Sequence, residues 1–258
     1  MASAQSITTH AITTHELLEG LSIEILEKMQ EAGREVSNCM RVLSKAELNL
    51  VGECIKHHGT FYEYDHYPPG DIYDNETHAQ YYYHAHRGTA GEHGHFHTFL
   101  RHKGIPQGIT PVPYEGEEPW PEGDEILSHL VAISMDGPGL PIGLFTTNRW
   151  VTGENWFSAD DVIAMLDRFV IDHADPSWPV NRWISAMVVL FRPQIEMLLR
   201  QRDENLAHYM RENPDTDVFE DRELELMSDV RISIDEQIHA VDEALLSHVS
   251  AINDGTTR

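Results

Sequence analysis

Two cysteines, Cys39 and Cys54, are all that the 258 residues contain. That excludes a disulfide framework, and neither lies in a C-x-x-C pair, so they read as small buried hydrophobes. Basic residues are also scarce: Lys+Arg number 18 against 43 Asp+Glu, a formal net charge of −25. Such a surface repels nucleic acid and anionic membranes, and neither is expected as a partner. No apolar run approaches the roughly eighteen residues of a membrane span. The lead Met1 to Thr14 is polar, with no apolar core and no basic cluster, so it signals neither secretion nor import, and the expected location is cytoplasmic.

What remains is 41% hydrophobic and 24% charged, the composition of a globular chain able to bury a core. Thr13 and Glu16 have capping-box spacing, and Leu17, Leu18, Leu21, Ile25, Leu26 and Met29 recur at helical intervals, predicting a long helix. A second helix starts near Ser44 and ends before Gly59. Phe61 to Thr77, with Pro68, Pro69 and Gly70, reads as a packed loop.

Gln80 to Arg87 and Glu92 to Arg101 alternate as strands around Gly88-Thr89-Ala90-Gly91, a hairpin. Ile126 to Met135 and Ile142 to Trp150 make a second hairpin around Asp136 to Pro141, and Leu224 to Ile234 suggests a fifth strand. Ser158 with Asp161 starts a helix through Val170, another begins near Asn181 and is divided at Pro193, and Asp235 caps a last one. The expectation is one α+β domain over 1–258. An antiparallel sheet built from two hairpins is flanked by N- and C-terminal helices, with 1–14 flexible and 158–258 mainly helical.

Histidine is abundant, 17 in all, and unevenly placed. His84, His86, His93, His95 and His97 fall within fourteen positions, where an even spread would put about one. With Arg87 opposite Glu92, paired residues sum to 179, placing His86 opposite His93, His84 opposite His95 and Tyr82 opposite His97. All five imidazoles then share one face, and Arg87 and Glu92 form an ion pair on the other. So many rings at neighbour distance cannot all be protonated, and neutral imidazole is a metal ligand.

The five histidines are therefore the candidate ligands. Nitrogen-rich, thiol-free ligation suits a transition metal, iron first, with copper, zinc, nickel or manganese as alternatives. The competing reading is a hydrogen-bonded polar face without metal. Glu92, Asp71, Asp74, Glu76, Asp136 and Glu154 are candidate carboxylate ligands, and His66, His78 and His129 flank the cluster. Tyr82, on the histidine face, and Arg149, read near the end of the fourth strand, are candidate catalytic residues against bland readings as a packed ring and a structural ion pair.

His84-x-His86 with Glu92 resembles the first cupin motif, which implies a metal held by an HxH pair and a glutamate inside an antiparallel barrel. His93-Gly-His95-Phe-His97-Thr-Phe99 resembles the histidine triad of nucleotide hydrolases and transferases, which implies His95 as nucleophile toward phosphate. His66 to Arg101 with His129 to Trp156 also resembles an uncharacterised bacterial His-rich family, and implies no activity. The function expected from the residues is that of a metal-dependent oxidoreductase acting on a small molecule. A non-catalytic metal- or haem-binding or sensing protein is the alternative from another class.

Overall fold

A computed structural model describes residues 13–56, 58–86, 91–116 and 118–255. The fold is α+β. Six strands form one antiparallel sheet whose spatial order is the chain order, β1 (Tyr67–Tyr73), β2 (Ala79–His84), β3 (Gly94–Arg101), β4 (Leu127–Met135), β5 (Pro141–Thr147) and β6 (Leu226–Arg231). Helices α1 (Thr14–Leu18), α2 (Ile23–Ser44) and α3 (Leu50–Ile55) precede it. Helices α4 (Arg149–Thr152), α5 (Ala159–Met165), α6 (Trp178–Leu190) and α7 (Arg192–Glu212) lie between β5 and β6, and α8 (Ile234–Gly255) follows.

The capping box at Thr13 and Glu16 is present, but it starts a helix of only 5 residues. Gly20, at φ 78°, turns the chain in a left-handed conformation, and Ser22 caps again by accepting from the Ile25 amide, so the expected long helix is two. Ser44 ends α2 rather than starting a helix; the Asn49 side chain accepts from the Gly52 amide to open α3. At the other end Ser233, not Asp235, accepts from the Glu236 amide. Ser158 caps α5 as its spacing with Asp161 predicts, and Pro193 separates α6 from α7.

The stretch read as a loop contains β1. Prolines are tolerated there because β1 is an edge strand, whose outer amides need no ladder partner, and its pairing with β2 shifts register between Tyr67 and Ile72. β6 is the strand suggested by Leu224 to Ile234, paired along β5.

Alternation gives the sheet two unlike faces. Tyr81, Tyr83, Phe96, Leu100, Val131, Ile133, Met135 and Leu144 join one large apolar core with residues of α2, α5, α6 and α7, among them the fully buried Trp183. Each such side chain contributes on the order of 1.5–3 kcal/mol by burial. Gly33 lets α2 come close: a Cβ there would lie 2.9 Å from Ile238 of α8. The other face carries the histidines.

Candidate metal centre

β2 and β3 pair in the register expected from the sequence. His84 lies opposite His95, Tyr82 opposite His97, and Tyr83 opposite Phe96. Directly opposed residues share a face, so His84, His95 and His97 converge away from the helices. Their rings pack edge to face, with centroids 4.6 Å apart for His84 and His95, 4.8 Å for His95 and His97, and 5.1 Å for His84 and His97. One ligand nitrogen from each lies within 4.8 Å of the others. His95 and His97 are fully buried and His84 nearly so.

Each ring has identifiable partners. Glu92 accepts from His95 at 2.7 Å through Nδ1, since a carboxylate can only accept, and this leaves Nε2 of a neutral ring as a lone pair. His84 Nε2 faces that atom at 2.8 Å. His97 Nδ1 lies 3.0 Å from His129 Nε2, while His97 Nε2 is buried with no hydrogen-bond partner among the described residues. Such an orphan costs about 1–3 kcal/mol.

Burial favours the neutral form of His84, His97 and His129. Burial first, then the neighbouring imidazoles of His95, His86 and His66, lower His84 to about 2. Burial first, then His95 and His129, hold His97 well below the ordinary histidine value. Burial and the Arg202 charge lower His129 to about 3. Neutral imidazole is the form that ligates a cation, and here three such side chains, His84, His95 and His97, bring a ring nitrogen each to one place.

Not all five predicted ligands meet. His86 stays at the rim, its ring 4.7 Å from His84 and 5.2 Å from His95. His93 leaves the cluster. The ladder begins only at Gly94, so alternation does not bind His93, and its Nδ1 is hydrogen-bonded to the Tyr83 hydroxyl at 2.6 Å on the helix side. Gly94 permits this: a Cβ there would sit 2.5 Å from the Tyr83 hydroxyl and 2.5 Å from the His84 carbonyl oxygen. Glu92, expected on the opposite face, instead reaches His95 for the same reason, as it too precedes the strand. Arg87, its expected partner, and most of the Gly88 to Gly91 turn lie outside the described residues.

Tyr82 is where the register puts it, 5.2 Å from the rings of both His84 and His97. Burial first, then Asp71 and Glu154, raise its pKa, so it remains a protonated donor. Arg149 is committed elsewhere. β5 stops at Thr147, Asn148 caps α4, and Arg149 opens that helix in a buried ion pair with Glu220, its Nε donating to the Glu154 carbonyl at 3.1 Å. These contacts match its reading as a structural ion pair.

Two flanking histidines join the site. The His66 ring stacks on Tyr82 at 3.6 Å and meets His84 edge-on at 5.6 Å. A bulge in the β3 and β4 pairing places His129 opposite Phe99 and so on the histidine face, where straight counting from Ala132 would put Leu130. Behind it Glu154 Oε2 accepts from the His129 amide at 2.6 Å. Burial raises Glu154 to about 7 against the opposing effects of Arg202, that amide, Thr152 and Arg149. His78 instead bonds to Tyr73.

The family described as Domain of unknown function (DUF6969) matches residues 30–232. The chain belongs to this family. The DUF6969 match spans all six strands and so includes the whole histidine centre. No curated protein matches the chain, and no solved structure does. Among the described residues no helix is long and apolar enough to cross a membrane.

Proposed function

We propose that His84, His95 and His97 hold a transition metal ion, iron first, and that the protein is a metal-dependent oxidoreductase acting on a small molecule. The observation that carries this reading is the buried, unpartnered Nε2 of His97 beside the paired Nε2 atoms of His84 and His95. A metal bond would satisfy all three without moving the strands. Glu92 then plays the part of the carboxylate that orients a ligating histidine through its other nitrogen.

The spacing speaks to the kind of ion. Nitrogens 2.8 Å apart, each ~2.1 Å from a shared ion, subtend roughly 85° at it. That angle concerns His84 and His95 alone, with the His97 nitrogen within 4.8 Å of both; three histidine ligands would leave positions for substrate or oxygen, as in non-haem iron sites. The ion would supply one-electron chemistry at those positions. Tyr82 is placed to donate a hydrogen bond beside them, and the low-pKa imidazoles stay available as ligands down to acidic pH.

A cleft of about 560 Å³ adjoins the centre, with His66 in its wall, one ring layer from His84. His84, His95 and His97 do not line it, so it meets the centre through His66 alone; a polar pocket reached this way supports turnover rather than storage. The complete burial of His95 and His97 favours a second reading, a closed metal site that senses or stabilises without turnover. Azide added to the iron-loaded protein separates the two: new charge-transfer absorption marks an open position, and an unchanged spectrum marks a closed one.

The test is elemental analysis of protein purified without an affinity tag, beside a His84→Ala/His95→Ala variant and Glu92→Gln. Near-stoichiometric metal in the parent, none in the double variant, and an affinity about 10–100-fold weaker in Glu92→Gln are expected. Equal metal in parent and double variant refutes the reading.

A further inference from the structure

The cleft beside the centre opens between the β1 edge, the ends of β2 and β3, and two 3-10 turns, His102–Gly104 and Gly123–Glu125. Its inner wall is a fixed polar chain. Arg101 Nε donates to Gln80 Oε1 at 2.6 Å, Gln80 Nε2 donates to Asp71 Oδ2 at 2.6 Å, and His66 Nδ1 donates to Asp71 Oδ1 at 2.9 Å. Both Asp71 oxygens are thus engaged, and Gln80 holds the Arg101 side chain in place.

The mouth differs. Its charges form two loose pairs, Lys103 with Asp124 at 3.1 Å and Arg101 with Glu125 at 3.7 Å. Lys103, Asp124 and Glu125 are mostly exposed, 59%, 71% and 80% respectively. Exposed pairs of this kind contribute only ~0–1 kcal/mol, so a ligand carrying both charges can exchange with them at little cost. A simple anion would gain Arg101 and Lys103 but meet two carboxylates; a simple cation would meet the reverse.

We infer that the cleft binds a small zwitterion of the free amino acid class, its carboxylate on Arg101 and Lys103 and its ammonium on Asp124 and Glu125. The volume leaves room for a side chain directed toward His66. The identity of the ligand stands apart from the metal; that it is the substrate of the centre rests on the reading proposed above.

The experiment is calorimetric titration with pools of free L-amino acids, then with each hit and its N-acetyl and amide derivatives. Protein is used as purified and after chelator treatment. At least one amino acid is expected to bind with a millimolar or tighter Kd, and both derivatives about tenfold more weakly. Arg101→Gln should lose about tenfold with its metal content unchanged. The exposed pair Asp124→Asn/Glu125→Gln, which does not disturb the inner wall, should weaken the amino acid while strengthening its N-acetyl derivative.

Binding by chelator-treated protein supports the cleft assignment even where the metal measurement fails. Three results would each overturn it: no pool binding below about 10 mM, derivatives binding as well as the parent compound, or both variants binding like wild type.

Discussion

Chelator-treated protein should lose stability as the pH falls from 7.5 to 5, by an amount set by which groups are buried neutral. His84 and His129 are lowered to about 2 and about 3, and His97 lies well below the ordinary value, all through burial first and nearby positive charge second. In the unfolded chain each titrates near ~6.5. Protons therefore bind the unfolded chain and not the fold. The contribution of each ring is complete above ~6.5 and is lost progressively below it. At pH 5 the loss is about 2 kcal/mol for each of His84 and His129, about 4 kcal/mol for the two, and His97 adds to it in the same direction. Glu154 acts oppositely. Its pKa rises from 4.5 to about 7, so its ionised form destabilises the fold at high pH, and protonation relieves about 2 kcal/mol over the same interval. The net expected loss is at least about 2 kcal/mol, a substantial share of a typical domain's 5–15 kcal/mol. Guanidinium unfolding followed by tryptophan fluorescence at closely spaced pH values measures it. Glu154→Gln removes the offset and should raise the loss by about 2 kcal/mol. A parent whose stability changes by less than about 1 kcal/mol between these pH values would refute the buried, neutral imidazoles.

Gly94→Ala should cost about 1–3 kcal/mol, because the new methyl meets the backbone carbonyl of His84 as well as the Tyr83 hydroxyl; an unchanged melting temperature would contradict that packing. Arg149→Met should cost about 1–3 kcal/mol, since Glu220 loses its near partner and keeps only Arg222 at 3.9 Å, with metal content unaffected, and loss of metal without loss of stability would return Arg149 to the site. His93→Phe should keep the metal content of the parent while His97→Ala loses it. The reverse pattern would exchange the places given to these two rings.

The sequence carried the hairpin register because period-two alternation of histidine against Tyr83, Phe96 and Leu100 fixes which faces meet, and the short turn with Arg87 opposite Glu92 selects one pairing among those that keep them together. It carried the caps at Thr13 and Ser158 and the helix break at Pro193 because each is a local device. It failed where local rules give way. β1 was hidden because Pro68, Pro69 and Gly70 are loop signals everywhere except on an edge. His93 and Glu92 were misplaced because alternation was extended two residues beyond the point where the ladder starts. His129 depends on a bulge that no nearby glycine announces, and His66 on the docking of β1 itself. Arg149 was assigned to a strand that Asn148 ends by capping a helix. Glu92 and His66 were legible as candidates, but their contacts were not, because both lie just outside the hairpin among residues that alternation does not govern.

The contrast between the two sides of the sheet has an effect on assembly. Sliding β2 along β3 by a single residue would drive imidazoles in among Trp183 and its apolar neighbours and turn phenyl and phenol rings outward, penalising both surfaces at once. The same histidines that would bind an ion thus also act as an alignment check on the hairpin, so replacing them with apolar residues invites a misregistered protein as well as an inactive one.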